Sequence, residues 1–292
     1  MMHLIDLDKL TPQDVAEIID LASEVRNLLK SDRAAYLRHW GNIMEGRTLL
    51  MLFEKPSLRT RISFEVGMTQ LGGHAIFYSI KDSPLGKKET ISDTARVISR
   101  MCDITMARLF SHDDIIELAD NSTIPVINAL TDYSHPCQIL GDLLTIREHF
   151  GKTGGLTLGY YGDSNNNVTH SLLHGCPLAG MNIKVGCPND EDYQPRLDVV
   201  ETALRLAKNA GTKVEIITEP NEGAKDCDVI YTDSWMSYHI ADNERTARFK
   251  MLKPYQVNMT LMEATGRLER EDVIFLHCLP AFHDNNTEAT RE

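Results

Sequence analysis

The chain has 292 residues and a formal net charge of −12 at pH 7, with 42% hydrophobic and 25% charged residues. Length and composition predict a globular protein of two domains, or of one large domain, with enough chain to bury its cores. The acidic balance argues against nucleic-acid binding, which needs a basic face, and no apolar run approaches the ~20 residues that cross a membrane.

The cysteines and the first residues of the sequence indicate the cellular compartment of the protein. Six cysteines are scattered along the sequence without a Cys-x-x-Cys pair, which indicates reduced thiols rather than a zinc site or a disulfide framework. The first residues do not show the basic and then apolar order of a signal peptide. We therefore expect a cytoplasmic protein without nucleic-acid or membrane partners.

The first predicted elements are a helix, a strand and a second helix. The helix over residues 10–30 has apolar residues on one face and an N-cap candidate in Thr11. Residues 48–53 are short and continuously apolar, as a strand buried on both faces of a parallel sheet should be. The second helix, over 58–71, begins at the N-cap candidate Ser57.

The start of this second helix is a candidate oxyanion site. The amides of Leu58, Arg59 and Thr60 lie in the first turn, where unpaired N–H groups and the helix dipole favour an anion. Residues two apart on a helix diverge by about 200°, so if Arg59 faces the ligand, Arg61 faces away and can pair with Glu65. The alternative is an ordinary capped helix with solvated arginines.

Three polar side chains lie near predicted strand and helix ends farther along. A strand over 104–109 places Arg108 near its carboxyl end, where open α/β sheets bind ligands. His135 and Gln138 lie three residues apart at the start of a helix over 139–150, so both can face one ligand. The alternatives are a structural ion pair for Arg108 and a capping or core role for His135.

Strand and helix patterns alternate along the whole chain. The glycine-rich segment 151–155 is the predicted boundary between domains over 1–150 and 151–292. The remaining predicted elements are strands over 74–79, 124–128, 156–161, 183–186, 213–217, 228–231 and 273–276, and helices over 90–101 and 197–210. This alternation predicts an α/β fold with two doubly wound domains, each around a central parallel sheet.

The second half contains its own candidates. Asp233 follows a buried-looking strand, where a carboxylate can pair with a cationic amine, and Ser237 can add a neutral hydrogen bond. The alternative is a polar loop that caps the strand. Cys278 ends another apolar strand, where a lone cysteine is usually a small hydrophobe. Because Gly-x-Gly-x-x-Gly is absent, a nicotinamide cofactor is not expected.

Four motifs together resemble those of the aspartate/ornithine carbamoyltransferase family, in the family's order. They are Ser57-Leu58-Arg59-Thr60-Arg61, His135-Pro136-Cys137-Gln138, Asp233-Ser234-Trp235-Met236-Ser237 and His277-Cys278-Leu279-Pro280. The resemblance covers essentially all of the chain. It implies a carbamoyl-phosphate-binding domain followed by an ornithine-binding domain, no metal or organic cofactor, and a homotrimer or multiple of trimers with sites at subunit interfaces.

The resemblance also implies residue roles. The carbamoyl phosphate contacts would be Ser57, Leu58, Arg59, Thr60, Arg108, His135, Gln138, Cys278 and Leu279. The L-ornithine contacts would be Asn167, Asp233, Ser237 and Tyr238, and the catalytic residues Arg108, His135, Asp233 and Cys278. Lys88 lies in a loop that resembles one reaching a neighbouring subunit's site, although its Lys87-Lys88 pair is by itself typical of a solvated surface. The expected products are citrulline and phosphate, in arginine biosynthesis.

Some features depart from the family pattern. Proline replaces Cys278 in the aspartate branch, which favours ornithine as acceptor, but Tyr238-His239 stand where the family has Met-Gly. Putrescine or an N-acylated ornithine is therefore an alternative acceptor, and a catalytically weak, binding-only relative is an alternative of another class. Family members continue for a few dozen residues beyond the equivalent of Glu292, with another arginine and a terminal helix, so we expect weaker carbamoyl phosphate binding here.

Overall fold

The computed structural model describes residues 3–80, 89–236, 240 and 242–281. The chain divides into two compact units, Met1–Leu144 and Thr145–Glu292. This division falls inside a helix, Pro136–Phe150, and the predicted boundary after that helix stays a prediction. Within the described part of the chain, no helix is both long and apolar enough to cross a membrane.

The first unit is built around a four-stranded parallel sheet with the order β2-β1-β3-β4. The strands are β1 (Thr48–Phe53), β2 (His74–Ser79), β3 (Ile104–Arg108) and β4 (Val126–Leu130). The helices are α1 (Pro12–Ser31), α2 (Arg33–His39), α3 (Leu58–Gln70), α4 (Ile91–Met101), α5 (His112–Asp120) and α6 (Pro136–Phe150), after a 3-10 turn at Leu7–Lys9. The chain therefore crosses over a helix between successive parallel strands.

Burial of β1 on both faces places it at the centre of this unit. Leu49, Met51 and Phe53 pack in one apolar cluster with Met68 of α3. Leu52 packs in another cluster, with residues of α4 and α5. The continuous apolar run predicted this two-sided burial, because a strand covered by helices on both faces cannot alternate polar and apolar residues.

The second unit contains a five-stranded parallel sheet with the order β7-β6-β5-β8-β9. The strands are β5 (Thr157–Tyr161), β6 (Asn182–Gly186), β7 (Val214–Ile217), β8 (Val229–Thr232) and β9 (Ile274–His277). The helices are α7 (Asn167–Leu178), α8 (Leu197–Ala210), α9 (Pro220–Ala224), α10 (Arg245–Leu252) and α11 (Met259–Ala264), with 3-10 turns at Asp242–Glu244, Lys253–Tyr255 and Leu268–Arg270. Together the two sheets confirm the predicted α/β fold.

The strand orders fix where ligands can bind. In the first unit the chain leaves β1 towards β2 on one side, and returns to β3 and β4 on the other. In the second unit the same reversal occurs between β5 and β8. Such switch points open a crevice at the carboxyl ends of the two strands, because the following loops run in opposite directions. The loops after β1, β3, β5 and β8 are therefore the candidate site loops.

Candidate active site

The helix start after β1 has the geometry of an anion site. Ser57 is the N-cap of α3, and its Oγ accepts a hydrogen bond from the Thr60 amide at 3.3 Å. The Ser57 hydroxyl also donates to Thr60 Oγ1 at 3.0 Å. The amides of Leu58 and Arg59 belong to the first turn, where N–H groups have no acceptor within the helix and the dipole is positive.

The two arginines of α3 have different surroundings. Arg61 Nε donates to Glu65 Oε1 at 3.2 Å, and its guanidinium lies 3.8 Å from the centroid of the Phe77 ring. Arg59 is exposed at the helix start. The predicted pairing of Arg61 with Glu65 is confirmed, and Arg59 is the arginine left to face an anion at this helix start.

Arg108 approaches the same helix start from the neighbouring strand. It ends β3 opposite Phe53 of β1, and only 8% of the residue is exposed. Its Nη1 donates to Thr60 Oγ1 at 3.4 Å. Arg108 and Thr60 are therefore brought together by the pairing of β1 with β3, although they lie 48 residues apart in the sequence.

His135 and Gln138 lie at the beginning of α6 in the first unit. Burial, and to a smaller extent the positive charge of Arg108, lower the pKa of His135 to about 3. The ring is therefore neutral at physiological pH, so that one nitrogen can donate a hydrogen bond and the other accept one. Gln138 Nε2 donates to Asp142 Oδ1 at 3.0 Å. The position of Gln138 is thus fixed from the next helical turn.

Lys55 is a buried cation that the sequence analysis missed. The residue is 7% exposed and its Nζ lies 4.3 Å from the centroid of the Phe110 ring. Burial and the nearby charge of Arg108 both lower the pKa of Lys55. The sequence signal that could have identified Lys55 is its position between a buried strand and the N-cap Ser57. Lys55 adds positive potential near Arg108, in a chain that is acidic as a whole.

In the second unit, two predicted residues meet at adjacent strand ends. Asp233 follows β8 and Cys278 follows β9, and the two strands pair with Thr232 opposite His277. The Cys278 thiol donates to Asp233 Oδ1 at 2.9 Å, and the Ser234 amide donates to the same oxygen at 2.6 Å. Both side chains are half-buried. The arrangement presents a carboxylate and a thiol side by side.

Asn167 and Leu279 complete the described candidates of this unit. Asn167 is the first residue of α7, directly after the N-cap Asn166, whose Oδ1 accepts from the Thr169 amide at 2.9 Å. Leu279 has a φ of 58°, a left-handed conformation that leucine rarely adopts. Its amide donates to His277 Nδ1 at 2.8 Å. Lys88, Ser237, Tyr238 and His239 lie outside the described residues, and their roles stay predictions.

Among the described residues of this unit, one set of donors could hold a metal ion. Ligand atoms of Asp233, His277 and Cys278 lie within 4.8 Å of one another. Carboxylate, imidazole and thiolate are ligands that Zn²⁺ accepts. Here, however, the Cys278 thiol donates to Asp233 and His277 Nδ1 accepts from Leu279. The Cys278 thiol and His277 Nδ1 thus already have hydrogen-bond partners within the protein.

Comparison with known proteins assigns both units. Residues 2–148 match the family model of the aspartate/ornithine carbamoyltransferase carbamoyl-P binding domain, and residues 154–292 match the Asp/Orn binding domain of the same family. The chain belongs to the aspartate/ornithine carbamoyltransferase family. The family resemblance predicted from the four motifs is therefore confirmed.

Individual carbamoyltransferases agree closely with this chain. The ornithine carbamoyltransferase of Carboxydothermus hydrogenoformans is 43% identical over 98% of this chain and 87% of its own length. That of Methanocaldococcus jannaschii is 43% identical over 96% of this chain and 87% of its own. The solved ornithine carbamoyltransferase of Pyrococcus furiosus superimposes with a TM-score of 0.87, at 40% identity, over 96% of this chain and 85% of that one.

Proposed function

We propose that the protein transfers the carbamoyl group of carbamoyl phosphate to the δ-amine of L-ornithine, giving citrulline and phosphate. Its relatives named ornithine carbamoyltransferase match nearly the whole chain at 43% identity. The observation that carries the proposal is the contact between Cys278 and Asp233, at 2.9 Å. It presents a carboxylate that attracts a cationic side-chain amine and would repel the carboxylates of aspartate.

The first unit binds carbamoyl phosphate in this proposal. Ser57, Arg59 and the amides of residues 58–60 hold the phosphate, because a helix start and a guanidinium both favour an anion. Thr60 and Arg108, which contact each other at 3.4 Å, act with His135 and Gln138 on the carbonyl oxygen. Because His135 is neutral, it can donate one hydrogen bond to the carbonyl oxygen, while Arg108 supplies the positive charge.

The chemical step needs positioning and charge stabilisation. The cationic δ-amine first releases one proton to solvent. Its lone pair then attacks the carbonyl carbon, and a tetrahedral oxyanion forms that Arg108, Thr60 and His135 stabilise. The bond from carbon to the phosphate oxygen then breaks, and phosphate leaves with that electron pair and accepts the proton that the attacking nitrogen loses. Asp233 and Cys278 hold the amine with its lone pair directed at the carbon. Cys278 and Leu279 are also proposed to contact the carbamoyl group.

The α-amino acid end of ornithine distinguishes the acceptors. Asn167, at the start of α7, is placed by the Asn166 cap and supplies an amide to the polar end of an amino acid. Ser237 and Tyr238 are proposed to add contacts there. Putrescine lacks the α-carboxylate, so it would not make this contact with Asn167. The test is to compare initial rates of carbamoylation with ornithine, putrescine, N-acetylornithine and aspartate as acceptors. A higher kcat/KM for any of the last three would overturn the assignment of ornithine as the acceptor.

We propose further that the protein is a cytoplasmic homotrimer that serves arginine biosynthesis. Leu58, Ile62 and Val66 repeat every four residues along α3 and are 71%, 49% and 45% exposed. An apolar helix face of this kind favours association. All six cysteines lie among the described residues and none forms a disulfide, which suits a reducing compartment. Light scattering of the purified protein tests the assembly; a monomer at working concentration would contradict it.

A further inference from the structure

A buried arginine lies behind the candidate ornithine loops. Arg248 of α10 is 7% exposed, and its guanidinium forms an ion pair with Asp163, which is 4% exposed. Its Nε also donates to the Trp235 carbonyl oxygen at 3.1 Å. The Tyr193 ring covers the group, with its centroid 4.9 Å away. A charge buried so completely is stable only if it is paired and hydrogen-bonded, and Arg248 meets both conditions.

The Asp163 end of this contact belongs to the loop that leads to Asn167. The Asp163 carbonyl accepts from the Tyr160 hydroxyl at 2.7 Å and from Asn166 Nδ2 at 2.5 Å. Its Oδ1 accepts from the Asn165 amide at 3.1 Å. Because Asn166 is the N-cap of α7, the position of Asp163 sets where α7 begins, and hence where Asn167 lies.

The Trp235 end belongs to the loop that carries Asp233, two residues earlier. The Trp235 ring packs edge-on against Phe249, with centroids 5.4 Å apart, so α10 contacts this loop twice. At the strand ends, the Thr232 hydroxyl donates to the Tyr161 carbonyl at 2.6 Å. Arg248 thus joins the loop after β5 to the loop after β8, which flank the switch point of this sheet.

We propose that Arg248 is a positioning residue for the amino-acid substrate, holding Asn167 and Asp233 at a fixed separation through Asp163 and the Trp235 carbonyl. This role rests on the proposed function, because it concerns ornithine. An arginine is suited to it because its planar fork donates in two directions at once, which a lysine ammonium on a flexible stem cannot reproduce. Burial raises the pKa of Asp163 to about 6 against the opposing effect of Arg248, so this carboxylate depends on the guanidinium to stay charged.

The experiment compares Arg248→Gln and Asp163→Asn with the parent protein, each in a Trp40→Phe background. The chain has two tryptophans, so that background leaves Trp235 as the sole fluorophore. Arg267→Gln is the matched control, because Arg267 pairs with Asp228 at 3.2 Å before β8, at the opposite end of that strand. Three quantities are measured: KM for ornithine, KM for carbamoyl phosphate, and acrylamide quenching of Trp235.

We expect both site variants to raise KM for ornithine about tenfold or more, because a displacement of about 1 Å in a positioned group has effects of this size. KM for carbamoyl phosphate should stay within about twofold, and Trp235 should become more accessible to acrylamide. The double variant should be no worse than the poorer single variant, since both remove one contact. Arg267→Gln should change none of these quantities, even where it lowers the melting temperature.

Other outcomes separate the two proposals. If the parent makes no citrulline, the proposed function fails, while the quenching of Trp235 still tests whether Arg248 holds the loop. If the parent is active and both KM values change together, or Arg267→Gln raises KM for ornithine equally, the positioning role is overturned. Should Arg248→Gln not fold, Arg248→Lys keeps the charge, and wild-type KM and quenching in that variant would equally overturn the role.

Discussion

Replacing Arg59 with alanine should damage carbamoyl phosphate use while leaving the fold intact. The side chain is exposed at the start of α3 and is proposed to contact the phosphate of the substrate. A charge-assisted contact made in the transition state contributes ~2–4 kcal/mol. Because Arg59 is exposed to solvent, we expect the lower end, about 2 kcal/mol, which corresponds to about a 30-fold loss in kcat/KM for carbamoyl phosphate.

Arg61→Ala is the matched control, two residues farther along the same helix. It removes the exposed pair with Glu65 and the contact with the Phe77 ring. An exposed ion pair contributes ~0.3–0.5 kcal/mol and a cation–π contact ~0.5–1 kcal/mol. The control should therefore lose about 1 kcal/mol of stability, a melting-temperature shift of about 2–4 °C, and keep its KM for carbamoyl phosphate within about threefold of wild type.

The assay is the initial rate of citrulline formation, with carbamoyl phosphate varied at saturating ornithine, together with thermal unfolding of each variant. Arg59→Ala should change the kinetics and hardly the melting temperature, and Arg61→Ala should do the reverse. Wild-type kinetics in Arg59→Ala would show that α3 begins as an ordinary capped helix with solvated arginines and not as an anion site. Equal kinetic damage in both variants would contradict the assignment of opposite faces to Arg59 and Arg61.

Two further predictions follow from the site geometry, and a third follows from the family resemblance of the loop that contains Lys88. Asp233→Asn and Cys278→Ser should each raise KM for ornithine about tenfold or more, as measured by citrulline formation. A change only in KM for carbamoyl phosphate would contradict the assignment of these residues to the amine. The NMR resonances of His135 should show no titration midpoint between pH 5 and 8, since the pKa of His135 in the folded state is about 3. That pKa lies below the value of 6.5 for the unfolded state. The contribution of this group to stability is therefore complete above about pH 6.5 and falls as the pH drops towards 3. Mixing Lys88→Ala with Arg59→Ala subunits should regenerate native sites and exceed the activity of either parent if Lys88 acts across an interface; no gain in confirmed mixed trimers would refute that role.

Local features of the site could be read from the sequence, because they depend on contacts within one or two helical turns. The Thr11 cap and the Ser57 cap are present where the residue pattern placed them, and Arg61 pairs with Glu65 four residues on. The apolar run over Thr48–Phe53 also predicted a strand covered on both faces. Each of these needs only the intrinsic geometry of the helix or strand in which the residues lie.

Short elements with weak patterns were missed. The residue pattern predicted no helix over α10, Arg245–Leu252, because its three cations and four apolar residues give no clear stripe. Its Arg248 therefore looked like an ordinary surface arginine. The partner that buries it, Asp163, is 85 residues away. No local spacing rule connects two such residues.

The sequence by itself thus determined the strands, several of the longer helices, the caps of two of them and the family to which the chain belongs, while the tertiary structure decided which polar groups meet. Cys278 and Asp233 touch although they are 45 residues apart, because β8 and β9 are neighbours in the sheet. Lys55 and Arg108 share an environment because β1 pairs with β3. The physical reason is that strand order results from burying helices on both faces of a sheet, a property of the whole packed unit, whereas caps and helical pairs are fixed by their immediate neighbours.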